Sequence, residues 1–281
     1  MKFSIVTPSL RQLPWLKRCL RSVADQGVEV EHLVQDAGTG PELERWVREH
    51  STARLCVEPD TGIYDALNRG FGRATGEICA WLNCDEQYLP DALSRVREFF
   101  TAHPEVDLVA GDYLIVNAHG ALQSFHKATP LRAAMVLSDH LYDYSCALFF
   151  RRSLFEREKF CTDFRVAGDA EWVGRVLPGG ARAAVLRGYL ATFTITGENA
   201  TRRADAAEDT RLLRAVTPRW ARVARPWLRE WRHVEKWLAG GYRRKPLAYE
   251  IFAGEDDDRR TRFTADRPSW RHPWAAGAKR D

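Results

Sequence analysis

The alternation of short apolar runs with helical segments is the feature that most limits how this chain can fold. Five runs of strand length lie before residue 117, and helical spacing of apolar residues fills the gaps between them. The runs are "FSIVTPS", "EVEHLVQDAG", "RLCVEPD", "GEICAWLNCDE" and "VDLVAGDYLIV". Strands that alternate with helices predict an α/β fold with a doubly wound, Rossmann-like, mostly parallel sheet flanked by helices.

Polar side chains end four of these runs. Thr7, Asp36, Asp60 and Asp85 each stand at or near the carboxyl end of a predicted strand. A single acid at such a position is usually a turn residue, but parallel sheets bind their ligands at this edge. Three acids and a threonine at one edge therefore favour a binding site.

The chain lacks the two common phosphate-binding loops of α/β proteins. It has no Walker sequence, and "GFGRATGE" follows a helix instead of a strand, which disfavours a dinucleotide-binding dehydrogenase. Acids can instead hold a nucleoside diphosphate through a divalent metal. Carboxylate and diphosphate oxygens suit Mn²⁺ or Mg²⁺.

Several segments, taken in order, resemble family 2 glycosyltransferases of the GT-A fold. They are "SIVTPSL", "VQDAG", "EPDTGIYDALNRGFGRATGE", "WLNCDE" and "FRVAGDAEW", and the resemblance covers residues 2–199. It implies an inverting enzyme that moves a sugar from a nucleoside-diphosphate donor, most often a UDP-sugar, to a hydroxyl of a glycan or lipid-linked acceptor.

The resemblance also implies roles for particular residues. Asp85 matches the metal-binding acid, and Asp169 in "AGDAEW" matches the general base. The residues that match the nucleotide-sugar pocket are Thr7, Pro8, Ser9, Asp36, Asp60, Asn68 and Asn83. A helix N-cap is the alternative for Asp169, and Glu171 is the rival base.

Two departures from the family pattern concern the same site. Asn83 and Glu86 flank Asp85 where the family often has further aspartates, so a metal role of Glu86 stays open. Ser145 and Cys146 stand where a His-Gln pair often precedes the base. Acceptor handling is therefore expected to differ here.

Composition changes after Gly197, and we place a domain boundary near Ala200. Residues 1–200 form the predicted catalytic domain, with a nucleotide-binding half at 1–112 and an acceptor half at 113–200. Residues 201–281 form a basic, Trp-rich extension that we expect to be helical, with 20 Lys and Arg against 12 Asp and Glu. This charge favours an anionic partner.

The extension carries an apolar stripe at spacings of three and four, which places it on one helix face. The stripe consists of Leu213, Val216, Trp220, Val223, Trp227, Trp231, Val234 and Trp237. Pro218 and Pro226 predict two or three separate helices. The stripe could pack on the catalytic domain, form a homodimer seam, or lie on an anionic membrane surface; nucleic acid is the least favoured partner.

Six cysteines without a CxxC pair and a strand that begins at Phe3 indicate reduced thiols in a cytoplasmic protein. The extension suggests that this protein is peripheral at the inner face of the membrane. The alternative function is a non-catalytic nucleotide-sugar or glycan-binding protein on the same fold. Such a binder would not need a carboxylate at Asp169.

Overall fold

The computed structural model describes residues 1–197 and 205–273, and the boundary predicted near Ala200 lies outside them. The first part of the chain alternates strands and helices as the sequence predicts. Its elements are β1 (Phe3–Ser9), α1 (Leu13–Ala24), β2 (Val30–Asp36), α2 (Pro41–His50), β3 (Arg54–Val57), α3 (Ile63–Gly72), β4 (Ile78–Trp81), β5 (Glu86–Tyr88), α4 (Ala92–Ala102) and β6 (Leu108–Asn117).

The remaining described elements complete the sheet and form the C-terminal extension. They are β7 (Leu122–His126), α5 (Ala133–Ser138), a 3₁₀ turn (Ser145–Ala147), β8 (Leu148–Arg151), α6 (Arg152–Arg157), α7 (Gly168–Val176), β9 (Ala183–Ile195), α8 (Asp205–Val216), α9 (Arg219–Leu238), β10 (Leu247–Ile251) and β11 (Thr261–Ala265).

One sheet of nine strands organises the described part of the catalytic domain, in the order β3-β2-β1-β4-β8-β6-β9-β5, with β7 paired to β6. The first four strands in this order are parallel, whereas β8 runs antiparallel to both of its neighbours. β6 and β9 are parallel, and β5 pairs antiparallel with the far end of β9. The sheet is therefore parallel over its first four strands and mixed beyond them.

The strand β4 shows why an apolar run ends abruptly in acids. It lies between β1 and β8, and all four of its residues are buried, because helices cover both faces of the sheet. The chain then leaves the sheet at its carboxyl edge and turns into β5, a three-residue strand that the sequence did not predict. Asn83 and Asp85 lie in this turn.

The glycines of "GFG" serve helix packing. A Cβ on Gly70 would lie 2.4 Å from Cγ1 of Val6 on β1, which no real contact allows. A Cβ on Gly72 would meet nothing within 4 Å. Gly70 therefore lets α3 approach the sheet closely, and this approach carries the loop before α3 to the carboxyl edge.

The C-terminal extension differs from the predicted set of helices in two ways. Pro218 separates α8 from α9 as expected, whereas Pro226 lies inside α9, so the expected break at Pro226 is wrong. Ion pairs tie α9 to the α5 region on both sides of the proline, through Arg225 to Asp139 at 2.8 Å and Glu235 to Arg132 at 2.7 Å. These contacts offset the helix-breaking tendency of the proline.

The second difference is a two-stranded hairpin of β10 and β11. Tyr249 and Ile251 of this hairpin share a buried cluster with Leu114 and Phe125 of the main sheet. The Gln87 side chain exchanges hydrogen bonds of 3.0 and 2.9 Å with the backbone of Phe252. The extension is thus packed on the catalytic sheet by its hairpin.

The apolar stripe of α9 faces solvent. Its four tryptophans, Trp220, Trp227, Trp231 and Trp237, have exposed fractions between 54% and 70%. Leu213 on α8 is the buried member of the stripe. The interpretation that the stripe packs on the catalytic domain is therefore wrong for α9.

Candidate active site

A cleft of about 1210 Å³ lies at the carboxyl edge of β1 and β4. It is lined by residues at and after the ends of these two strands, by the start of α7, and by residues of α8 and α9. Of the residues predicted for the site, it brings together Pro8, Ser9, Asp60, Asn83, Asp85 and Asp169.

Glu86 holds the turn that presents Asp85. The Glu86 carboxylate is buried and accepts the backbone N–H of Asn83 at 2.7 Å and its side-chain amide at 3.1 Å. Burial raises the pKa of Glu86, and the neighbouring Asp85 raises it further. Burial also raises the pKa of Asp85. Two neighbouring buried carboxyl groups favour a bound cation, which would offset their negative charge.

Asp85 is the candidate protein ligand for such a cation. Among residues 1–197 and 205–273, no group of three or more His, Cys, Asp or Glu is arranged to hold a metal ion. Mg²⁺ and similar ions in phosphate-binding sites use one or two carboxylates and complete their shell with substrate oxygens and water. Asp85, which lines the cleft, fits this arrangement, whereas Glu86 is engaged with Asn83.

Asp169 lies in the first turn of α7 and lines the cleft. Its Oδ1 accepts the N–H of Ala170 at 2.7 Å. Burial raises the pKa of Asp169 to about 6, which suits a group that must take a proton near neutral pH. A Cβ on the preceding Gly168 would lie 2.7 Å from the ring of Tyr64, so a side chain there would displace the loop.

Glu171, the rival base, points elsewhere. It is nearly buried and forms an ion pair with Arg175, through contacts of 2.8 and 3.1 Å between both carboxylate oxygens and the guanidinium. It does not line the cleft. The geometry therefore favours Asp169.

Asp209 of α8 is a site residue that the sequence analysis missed. Its buried carboxylate accepts the backbone N–H groups of Arg165, Val166 and Ala167, the three residues before Gly168. The Tyr64 hydroxyl donates to the carbonyl of Val166 at 2.8 Å. The extension and α3 thus hold the loop that carries Asp169 from two sides.

Three predicted residues do not reach the cleft wall. Thr7 is buried beneath it and its hydroxyl lies 2.9 Å from Nε2 of His32. The Asn68 amide donates to the Phe160 carbonyl at 2.9 Å and accepts the Phe160 N–H at 3.0 Å. The third residue is Asp36.

Asp36 shapes the loop after β2. Its buried carboxylate accepts the N–H of Gly38 at 3.0 Å, and the N–H and hydroxyl of Thr39 at 2.6 Å each. This is the turn contact that the sequence left open as an alternative. Asp60 makes a similar contact with the N–H of Gly62 at 3.0 Å, yet it also lines the cleft, and burial raises its pKa.

The sequence analysis also missed the part of the cleft lining that α9 forms. α9 contributes five cationic side chains to it, Arg222, Arg225, Arg229, Arg232 and Lys236; we call them the basic wall. Their spacing of three and four was visible in the sequence, but the tryptophan stripe on the same helix suggested the opposite orientation.

The fold is of the GT-A type, and its cleft holds acids at the carboxyl edge of a parallel half-sheet together with the further carboxylate of Asp169. The family model described as Glycosyl transferase family 2 matches residues 4–158, more than half of the chain. The chain therefore belongs to glycosyl transferase family 2. This confirms the predicted fold class and the predicted family.

Curated relatives agree. A PGL/p-HBAD biosynthesis glycosyltransferase of Mycobacterium bovis is 33% identical over 165 residues, which cover 54% of this chain and 60% of the relative. An uncharacterised glycosyltransferase of Mycobacterium tuberculosis, Rv1514c, is 28% identical over 181 residues, which cover 61% of this chain and 67% of the relative. The matched region thus spans about three fifths of the length of the first of these relatives.

Solved structures share the fold. S. aureus TarS 1-349 in complex with UDP-GlcNAc superposes with a TM-score of 0.62 at 20% identity, covering 76% of this chain and 65% of that one. The mannosyltransferase PcManGT from Pyrobaculum calidifontis, in complex with GDP-Man and Mn2+, has a TM-score of 0.54 at 20% identity and covers 76% and 61%.

Proposed function

We propose that the protein is an inverting glycosyltransferase that uses a UDP-sugar, a divalent metal at Asp85 and Asp169 as general base. The observation that carries the proposal is the placement of these two carboxylates in one cleft, with Glu171 engaged outside it. The binder alternative is disfavoured, because the loop of Asp169 is held by a dedicated buried acid, Asp209.

The residues of the chain divide the reaction between two sides of the cleft. Pro8, Ser9, Asp60 and Asn83 form the donor side together with Asp85. A divalent metal bound at Asp85 would supply positive charge to the departing diphosphate. That solved structures of this fold bind UDP-GlcNAc or GDP-Man with Mn2+ supports a nucleotide-sugar donor and a metal.

Asp169 acts on the acceptor. The acceptor oxygen attacks C1 of the donor sugar while its proton passes to Asp169, and the bond from C1 to the diphosphate oxygen breaks. Because Oδ1 accepts the Ala170 N–H, we assign the proton to Oδ2. One displacement from the face opposite the leaving group inverts the anomeric centre.

The metal role is tested by calorimetry with UDP and Mn²⁺. We expect Asp85→Ala to lose metal-dependent UDP binding, since the direct protein ligand is removed. Asp266→Ala, a change of an exposed acid that lies outside the cleft, serves as the control and should bind as the unchanged protein does. Unchanged UDP affinity of Asp85→Ala with Mn²⁺ present would show that the metal assignment is wrong.

We also propose that the exposed stripe of α9 lies on an anionic membrane at its cytoplasmic face, where it would meet a lipid-linked acceptor. Four exposed tryptophans on a helix whose other face is cationic support this. None of the helices among the described residues has the length and apolar character to span a bilayer.

Vesicle flotation tests the membrane proposal. We expect binding to vesicles rich in phosphatidylglycerol, weaker binding at high salt, and loss in Trp227→Ser/Trp237→Ser. Val57→Ser removes an exposed apolar side chain elsewhere and should change nothing. If the protein does not bind the vesicles at low salt and is a dimer in solution, the stripe is an oligomer seam.

A further inference from the structure

The basic wall and the acids of the proposed donor site line the same cleft. The five members of the basic wall, Arg222, Arg225, Arg229, Arg232 and Lys236, recur every three or four residues along α9 and all line the cleft. The acids of the proposed donor site and the proposed base also line it; they are Asp60, Asp85, Glu86 and Asp169. The cleft therefore has carboxylates from the sheet edge and the start of α7, and cations from α9.

The charges of the basic wall are only partly compensated by neighbouring acids. Asp139 is shared by Arg225 at 2.8 Å and Arg232 at 3.2 Å, and it also contacts His140. Among the described residues, no carboxylate forms an ion pair with Arg222, Arg229 or Lys236. One carboxylate thus serves two of the five cations.

A second acid near the basic wall, Asp143, adds little negative charge. Asp143 lines the cleft and is buried, and its carboxylate accepts the N–H of Thr129 at 3.3 Å. Burial raises the pKa of Asp143 to about 8, so it is largely protonated at neutral pH. Burial and the nearby Arg232 lower the pKa of Lys236, as expected where cations are crowded. An anionic ligand would relieve this crowding.

We propose that the basic wall binds the phosphate or diphosphate of a lipid-linked acceptor and so places the acceptor hydroxyl at Asp169. This inference rests on the proposed function and names the class of its acceptor. The diphosphate of the donor is assigned to the acidic side, where it needs a metal, so the basic wall calls for a second anion. Arginine forks match phosphate oxygens with paired hydrogen bonds.

The two faces of α9 fit a lipid-borne phosphate. The tryptophans face away from the cleft and the arginines face into it, so one helix would separate a membrane surface from the reaction site. A lipid phosphate bound by the basic wall would leave its chain to pass around α9 toward the membrane at the tryptophan face. A free phosphorylated sugar would not need the exposed stripe.

The test measures the binding of farnesyl diphosphate by calorimetry without divalent metal. Arg222→Gln/Arg229→Gln should weaken it by about tenfold or more, because two charge-assisted contacts are removed while helix propensity is kept. The control Arg219→Gln/Arg243→Gln removes two exposed arginines of the same region that do not line the cleft, and it should stay within about twofold of the unchanged protein.

Two further measurements separate the alternatives. The affinity for UDP with Mn²⁺ should be equal in the unchanged protein, in Arg222→Gln/Arg229→Gln and in the control variant. If Arg222→Gln/Arg229→Gln loses affinity for UDP as much as for farnesyl diphosphate, the basic wall belongs to the donor site and the proposal is overturned. Farnesol should not bind, and inorganic pyrophosphate should bind at least about tenfold more weakly than farnesyl diphosphate, because each lacks one of the two recognised parts.

Equal affinity of pyrophosphate and farnesyl diphosphate would overturn the lipid part of the inference. Wild-type affinity in Arg222→Gln/Arg229→Gln would overturn all of it. A different result would show that the proposed function is wrong: no UDP-sugar would bind with Mn²⁺, whereas farnesyl diphosphate would still bind.

Discussion

Asp209→Asn should separate donor binding from sugar transfer. The change keeps the size of the side chain but replaces a carboxylate that accepts the N–H groups of Arg165, Val166 and Ala167. Asparagine has a single acceptor oxygen, carries no charge and turns an amide group toward these donors. The loop before Asp169 then loses its attachment to α8, while the floor of the cleft is untouched.

The contacts of Asp209 set the size of the effect. Hydrogen bonds to a charged group contribute about 1 kcal/mol more than neutral ones, so three of them amount to ~3 kcal/mol. If this free energy is used entirely to hold the loop, the population with Asp169 in place falls ~10²-fold, at 1.4 kcal/mol per factor of ten. The Tyr64 contact with Val166 keeps part of the order, so we expect kcat to fall ~10- to 100-fold.

The assay has two parts. Steady-state transfer should give a lower kcat with an unchanged KM for the donor, and hydrogen exchange should be faster at the amides of residues 165–167. Glu208→Gln, an exposed neighbour on α8, is the matched control and should alter neither measurement. Wild-type exchange and kcat in Asp209→Asn would refute the assignment of Asp209 as a positioning residue.

Two further predictions concern the base and the packing of α3. Because burial raises the pKa of Asp169 to about 6, kcat at saturating donor and metal should fall about tenfold per pH unit below that value; a rate that stays level down to about pH 4.5 would contradict this. Gly70→Ala should lower the free energy of unfolding by about 1–3 kcal/mol through the clash with Val6. Gly72→Ala, with open space around it, should change that free energy by no more than about 1 kcal/mol, and equal effects at the two glycines would show that close packing is not the reason.

The sequence predicted the sheet edge better than the direction of individual side chains. Acids at the ends of parallel strands must meet at one edge, and Asp60 and Asp85 do so. Thr7 belongs to the same edge, but it lies two residues before the end of β1, and its buried side chain contacts His32 while Pro8 and Ser9 reach the cleft. The backbone position of Thr7 at the sheet edge was predictable from the sequence, but the direction of its side chain was not.

Long-range contacts explain what the sequence could not predict. Asp209 lies 40 or more residues from the amides that it binds, and nothing near it in the sequence marks it as a loop anchor. The hairpin of β10 and β11 was taken for helix because the arginine-rich composition hid its alternating pattern. The helical period predicted for the apolar stripe of α9 was correct. The predicted orientation of the helix was not, since its arginines face the cleft and its tryptophans face solvent.

The central claim is that Asp169 takes the proton of the acceptor, and a comparison of Asp169→Asn with Glu171→Gln tests it most directly. With a UDP-sugar, Mn²⁺ and an accepted hydroxyl, Asp169→Asn should bind the donor normally but transfer the sugar ~10²–10⁴-fold more slowly. Glu171→Gln should transfer at a rate close to that of the unchanged protein, because Glu171 contacts Arg175 outside the cleft. Near-normal turnover in Asp169→Asn together with an inactive Glu171→Gln would contradict the account.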